Sequence, residues 1–330
     1  MDKQQALPGL GWVERFIGGS QQAEAAFIAQ AMNDIHVVQR RNQKTGNAER
    51  AARAFHAKIQ AGIANAEFII LPDAPVQLVS NFIVPGRCYP AKLRFSNASG
   101  VIQPDTKGDL RGLAIEIETA DGVQHFLGTN GAGSHARDAR QFIEFAKAAS
   151  GSKLLMFPRL LWNVGPLEMV RMLRTVIGQV RRPIASLATE SYFSRSAFAF
   201  GDYALKFQFT PRESAEVSTV KSDTFLRDDL VERLRRGRVV FDFQVQFFSN
   251  EKETPVEDGS AIWPTELITI AQLIIPQQDL RGADAIAAHK QVEEIEFSPW
   301  KTTKSIRPLG SLNRARRSVY PASVKLRKGR

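Results

Sequence analysis

Cysteine occurs once in these 330 residues. Alone, Cys88 excludes an internal disulfide and any metal cluster built on several thiolates. No apolar run approaches the length that spans a bilayer as a helix. The opening Met1-Asp2-Lys3-Gln4-Gln5 lacks a basic stretch followed by an apolar core, so no secretory signal is read and a cytoplasmic protein is expected. There is no internal repeat and no low-complexity segment. Histidine (5) and tyrosine (4) are scarce, which makes the neighbourhood of each one informative. Acidic side chains are outnumbered, 34 against 44 Lys and Arg, for a formal charge of +10.

That excess is partly local. Arg314, Arg316, Arg317, Lys325, Arg327, Lys328 and Arg330 crowd the tail, and Arg233, Arg235, Arg236 and Arg238 cluster on a short predicted helix. A basic surface attracts nucleic acid or anionic membranes without sequence specificity. Here the cations read as a solvated face rather than a nucleic-acid site, with peripheral membrane contact and fatty-acid-like carboxylates kept as partners. Hydrophobic content of 43% and charged content of 24% are those of a globular protein.

Strand-like runs rich in Val, Ile and Phe lie at 66–71, 76–84, 92–96, 111–119 and 124–128, then at 204–210, 239–248 and 266–275. Eight strands in groups of five and three suit a closed antiparallel barrel, which leaves no exposed edge. Helical patterns fall at 21–41, 139–149, 153–162, 165–180, 222–236 (Asp223 as a candidate cap) and 283–294. The fold class expected is α+β, an eight-stranded barrel with flanking helices. Residues 1–50 form an N-terminal helical arm and 51–330 a single core domain.

The tail carries the most telling chemistry. Arg316 and Tyr320 stand four residues apart, on one face of a helix. An adjacent fixed positive charge favours the phenolate, and a phenolate is a ligand for ferric iron. Any arginine-rich tail places some arginine four residues from a tyrosine, so the spacing is weak alone.

Upstream segments add to it. They are Arg53-Ala54-Phe55-His56-Ala57-Lys58, Leu93-Arg94-Phe95-Ser96, Asp109-Leu110-Arg111-Gly112-Leu113-Ala114-Ile115, Phe126-Leu127-Gly128-Thr129-Asn130 leading to Arg137-Asp138, and Glu294-Ile295-Glu296-Phe297-Ser298-Pro299. With Arg316, Tyr320 and, seven residues on, Arg327, their order and spacing resemble the haem-pocket segments of the haem catalase superfamily. The resemblance covers roughly residues 53 to 327 and implies haem b as cofactor. It implies Tyr320 as the iron ligand with Arg316 as its charge partner, and His56 as distal acid–base. It also implies Ser96 as the hydroxyl fixing the imidazole, and Arg53, Arg94 and Arg327 as partners of the haem propionates. Phe95 and Phe142 are candidate pocket walls, equally readable as core residues. Asp109 and Arg111 brace the barrel.

Two departures from the family pattern matter. Gly128 is followed by Thr129, where the family has its distal asparagine, and Asn130 comes next; neighbours in a strand face opposite ways, so Thr129 is the expected pocket residue. The Gly131-Ala132-Gly133-Ser134-His135 stretch is small and polar where the family has an aromatic wall, with His135 a second polar candidate. The chain ends soon after Arg327, without room for the family's C-terminal extensions, so their nucleotide site is expected to be absent. The expectation is a haem peroxidase acting on hydrogen peroxide or organic peroxides, as a homodimer. A true catalase, an organic hydroperoxide isomerase/lyase or substrate oxidase of the catalase fold, and a non-catalytic haem-binding protein are the alternatives.

Overall fold

The structure, a computed structural model, describes residues 9–49, 51–214 and 222–329. Its centre is an antiparallel barrel built from β1 (Ile59–Ile70), β2 (Cys88–Asn97), β3 (Arg111–Thr119), β4 (Gly122–Thr129), β5 (Tyr192–Phe193), β6 (Phe198–Phe200), β7 (Tyr203–Pro211), β8 (Val239–Phe247) and β9 (Ile268–Ile275), with β10 (Ile306–Pro308) laid against β6. Closure occurs at β7. Leu205 pairs with Phe198 on one side and Phe247 on the other, while Phe209 pairs with Tyr192 and Phe243. β5 and β6 therefore act as one interrupted strand, and the closed ring has eight members.

Alternation decides which side chains enter the ring. In β8, Val239, Phe241, Phe243, Val245 and Phe247 are buried while Val240, Asp242, Gln244 and Gln246 between them are partly exposed. Phenylalanines dominate the interior, with Phe126 ring centroids 4.9 Å from both Phe207 and Phe243. Each such ring removed from water contributes on the order of 2 kcal/mol.

The expected strand at 76–84 is not one. Val76–Leu78 form a 3-10 turn, and Leu78, Phe82 and Ile83 plug the barrel, held by Tyr89 Oη donating to the Phe82 carbonyl at 2.8 Å. A short apolar run reports burial, and a plug buries as well as a ladder does. The eighth strand is instead the interrupted β5–β6 segment, too short to show a period.

Among the described residues seven helices flank the barrel: α1 (Gln21–Thr45), α2 (Ala139–Ala149), α3 (Lys153–Val164), α4 (Pro166–Arg181), α5 (Phe225–Arg236), α6 (Ala283–Glu294) and α7 (Gly310–Arg327). Ser20 and Asp138 cap α1 and α2 through their side chains. At α5 the cap position falls to Thr224 rather than Asp223, without a side-chain capping bond. The arginine fork of Arg314 binds Glu14, Glu24 and Glu257, which ties the start of α7 to the N-terminal segment. Among the described residues no helix is long and apolar enough to cross a membrane.

Candidate active site

Three neighbouring strands build one wall of the site. Register pairs Ser96 of β2 with Gly112 of β3, and Gly112 with Thr129 of β4. Directly paired residues present their side chains on the same face, so these form a row across the outer surface of the barrel. The middle of the row has no side chain, and the His56 imidazole fills that place. A Cβ on Gly112 would stand 2.5 Å from both Cε1 and Nδ1 of His56. Nδ1 lies 3.0 Å from Ser96 Oγ.

His56 precedes β1 in a left-handed backbone conformation, φ +58°. For a residue other than glycine that conformation is uncommon and strained. Two bonds hold it: His56 N donates to the Ala98 carbonyl at 3.0 Å, and Arg94 Nη2 donates to the His56 carbonyl at 2.9 Å. Burial pushes the imidazole down to about 3, with Arg94, Arg195, Arg316 and Arg53 opposing a further positive charge. It is neutral throughout the physiological range.

Thr129 shares the row with His56, whereas Asn130 turns the other way. The Asn130 amide donates to Glu190 at 2.8 Å and accepts from Arg111 N at 2.7 Å, inside a buried network. The pleat that separates them is that of any strand. It also separates Phe95 from its neighbours. Arg94 and Ser96 face His56, but Phe95 is fully buried inside the barrel against Tyr192 and Phe241. Of the two readings expected for Phe95, the structure places it in the barrel core.

Beside the row lies an arginine cluster. Arg94 Nε contacts Glu293 Oε2 at 2.7 Å and Arg53 Nε contacts Oε1 at 3.4 Å, with Arg53 Nη2 also donating to the Glu293 carbonyl at 2.7 Å. Glu293 reaches them because α6 lies close over β1 at Gly62, where a Cβ would come within 3.0 Å of the His289 backbone. Burial, Arg94 and Arg327 bring Arg53 down to about 10, against the pull of Glu293. Arg327 Nη2 is buried and has no partner among the described residues.

α7 supplies the remaining groups. Tyr320 is half-buried, one residue past Val319, which packs with Ala31, Ile35, Ala54 and Ile143. Phe142 and Phe55 close that cluster edge to face, centroids 5.4 Å apart. Arg316 Nη1 donates to Asn313 Oδ1 at 3.0 Å; among the described residues no hydrogen bond joins it to Tyr320. His135 sits against Phe142 and Phe145, its Nε2 buried and unpartnered among the described residues. Arg195, in the break between β5 and β6, donates to the Gly131 carbonyl at 2.8 Å and to Gln179 at 3.1 Å.

Gly112, Glu293 and Arg195 were given no role from the sequence. A lone glycine inside a strand pattern does signal close approach of another group. Nothing in the local sequence marks Glu293 or Arg195.

The architecture is that of the catalases. A fungal catalase superposes with a TM-score of 0.69 at 18% identity, covering 87% of this chain and 62% of its own. A bacterial catalase gives 0.64 at 19% identity over 89% and 61%, and catalase A from Saccharomyces cerevisiae 0.67 at 17% over 96% and 68%. The chain spans about three fifths of the fungal and bacterial catalases. A curated relative, the catalase-related peroxidase of Mycolicibacterium paratuberculosis (strain ATCC BAA-968 / K-10), is 30% identical over 310 residues, which is 86% of this chain and 92% of the relative. No protein-family model matches the chain. The chain belongs to the catalase superfamily and, within it, to the catalase-related peroxidases, a family of oxidoreductases.

Haem is the group this family implies, and the residues present fit it. Arg53 and Arg94 share one carboxylate, Glu293, while Arg327, near enough to oppose the charge on Arg53, keeps a buried donor unused among the described residues. Two further carboxylates complement that charge.

Proposed function

We propose that the protein is a haem-dependent peroxidase, with His56 as distal acid–base and Tyr320 as the iron ligand. The observation that carries this reading is the His56 imidazole, kept neutral and seated over Gly112 against Ser96. With Nδ1–H donated to Ser96 Oγ, Nε2 keeps its lone pair free to take a proton from a peroxide and return it to the departing oxygen. Thr129, on the same row, offers one hydroxyl donor to the peroxide. Arg53, Arg94 and Arg327 hold the propionates, Phe142 walls the pocket, and Arg316, one helical turn before Tyr320, is its charge partner. Haem b, when bound, supplies the electrons that cleave the O–O bond, a bond reduction that takes two electrons and two protons in all. The electrons are restored by an organic reductant. A cytoplasmic homodimer is part of the same proposal.

A second reading has one observation in its favour. The Gly131–Ser134 stretch and Thr129 leave the distal side small and polar, which suits an organic hydroperoxide that rearranges without a reductant. Turnover of a lipid hydroperoxide with no added donor would select it, and brisk oxygen release from hydrogen peroxide would select true catalase activity.

The test is the ferric absorption spectrum of protein expressed with haem supply, beside Tyr320→Phe and His56→Gln. Stoichiometric haem with a tyrosinate-type spectrum lost in Tyr320→Phe is expected. His56→Gln should keep the spectrum and lose about 10²–10⁴ in peroxide turnover. A spectrum indifferent to Tyr320, or full activity without His56, ends the assignment.

A further inference from the structure

The α3–α4 hairpin leaves an apolar face uncovered. Trp162 is 89% exposed, Leu154 88%, Leu167 85%, Val170 60% and Phe157 55%. At 3.6 residues per turn these are not scattered positions. On α3, Leu154, Phe157, Leu161 and Trp162 share one side of the helix, bordered at Phe157 by the buried Leu160. On α4, Leu167, Val170, Arg174, Ile177 and Arg181 form one stripe opposite the buried Met172. Patches of this kind mark interaction sites rather than ordinary surface.

Charge selects the occupant. The only acidic residue of the two helices, Glu168, is engaged by Arg137 and Arg171. Arg159, Arg174 and Arg181 are exposed. A second copy of the chain would bring a second set of these arginines to a face whose one carboxylate is already engaged. A surface that accepts Leu, Phe and Trp while attracting arginine is the headgroup region of an anionic bilayer.

We propose that the α3–α4 hairpin docks this protein on anionic lipid membranes, lying in the plane of the interface. The inner side of α4 contacts the candidate active site. Gln179 Nε2 donates to the Gly133 carbonyl at 2.8 Å, and Arg171 Nη2 to the His135 carbonyl at 3.0 Å. Docking therefore places α4 between lipid and the segment that carries His135. It does not depend on the peroxidase reading and is tested without peroxide.

The experiment is co-sedimentation of the full chain with vesicles of phosphatidylcholine, with and without phosphatidylglycerol. Binding that requires phosphatidylglycerol and weakens with added salt is expected. Arg174→Gln and Arg181→Gln should each weaken it about fivefold, and Trp162→Ser on the order of tenfold. All three sites are exposed, so circular dichroism should be unchanged. Absence of binding to phosphatidylglycerol vesicles, or binding indifferent to all three variants, overturns the proposal. If the variants leave vesicle binding intact and instead convert a dimer to monomer in analytical ultracentrifugation, the face is an interface between copies and the proposal is wrong.

Discussion

At His56 the electrostatics and the sterics can be tested separately. The unfolded chain takes up the imidazole proton near pH 6.5, and the folded chain near 3, because burial and four arginines oppose the charge. Between those values the unfolded chain binds more protons, so stability falls as pH drops through that window. The slope reaches about 1.4 kcal/mol per pH unit for one proton. His56→Gln should flatten it in urea titrations from pH 6.5 to 4, leaving the similar contribution of His135, itself held at about 3. By the same token, peroxide kcat/KM should show no histidine-dependent fall from pH 8 to pH 5. A break near pH 6.5 that disappears in His56→Gln would contradict the buried, neutral imidazole. Sterically, Gly112→Ala puts a methyl group where the ring lies, 2.5 Å from two of its atoms. The ring must leave Ser96, with activity down at least about tenfold and stability by roughly 1–3 kcal/mol. A variant with wild-type turnover would show that the ring position is immaterial. His56 and Ser96 are recognisable from short motifs; that the group approaching Gly112 is the His56 ring emerges only from the register of three strands.

Between elements, α6 and α7 decide what the barrel wall can hold. α6 brings Glu293 onto two arginines, one of which, Arg94, is almost fully buried. Removing that carboxylate leaves buried cations unpaired, which is the costly half of breaking an ion pair. Glu293→Gln should lower the Tm of haem-free protein, by roughly 1–3 kcal/mol of stability since Glu293 is partly exposed. Added haem should then raise the Tm of the variant more than that of wild type, because propionates replace the missing charge. Equal haem-induced shifts would mean that Glu293 and haem do not address the same arginines. Helices of this size are legible from periodicity and breakers: α2 and α6 stand at their expected bounds, and Gly165-Pro166 divides α3 from α4. The 76–84 plug and the two-residue β5 were misread or unread, because burial without a ladder resembles a strand and a ladder of two residues has no period.

Over the whole molecule, closure and charge act at different ranges. Barrel closure leaves no strand edge between β7 and β8, so opening any barrel strand breaks pairings on two sides. α3 and α4 bury little of their own surface, with Leu160 and Met172 the fully buried side chains described on them. Hydrogen exchange should therefore be slowest in β3 and β8 and fastest, among the helices, in α3 and α4. Equal protection of hairpin and barrel would indicate a partner already covering that face in solution. What the sequence determined by itself is the barrel's alternation and the approximate span of most helices, since these rest on local period and breakers. Tertiary structure decided which strand completes the ring, that the His56 imidazole takes the place of a side chain at Gly112, and that Glu293 shares Arg53 and Arg94. Those outcomes depend on pleat phase, register and the approach of distant helices, and no local stretch of sequence encodes them.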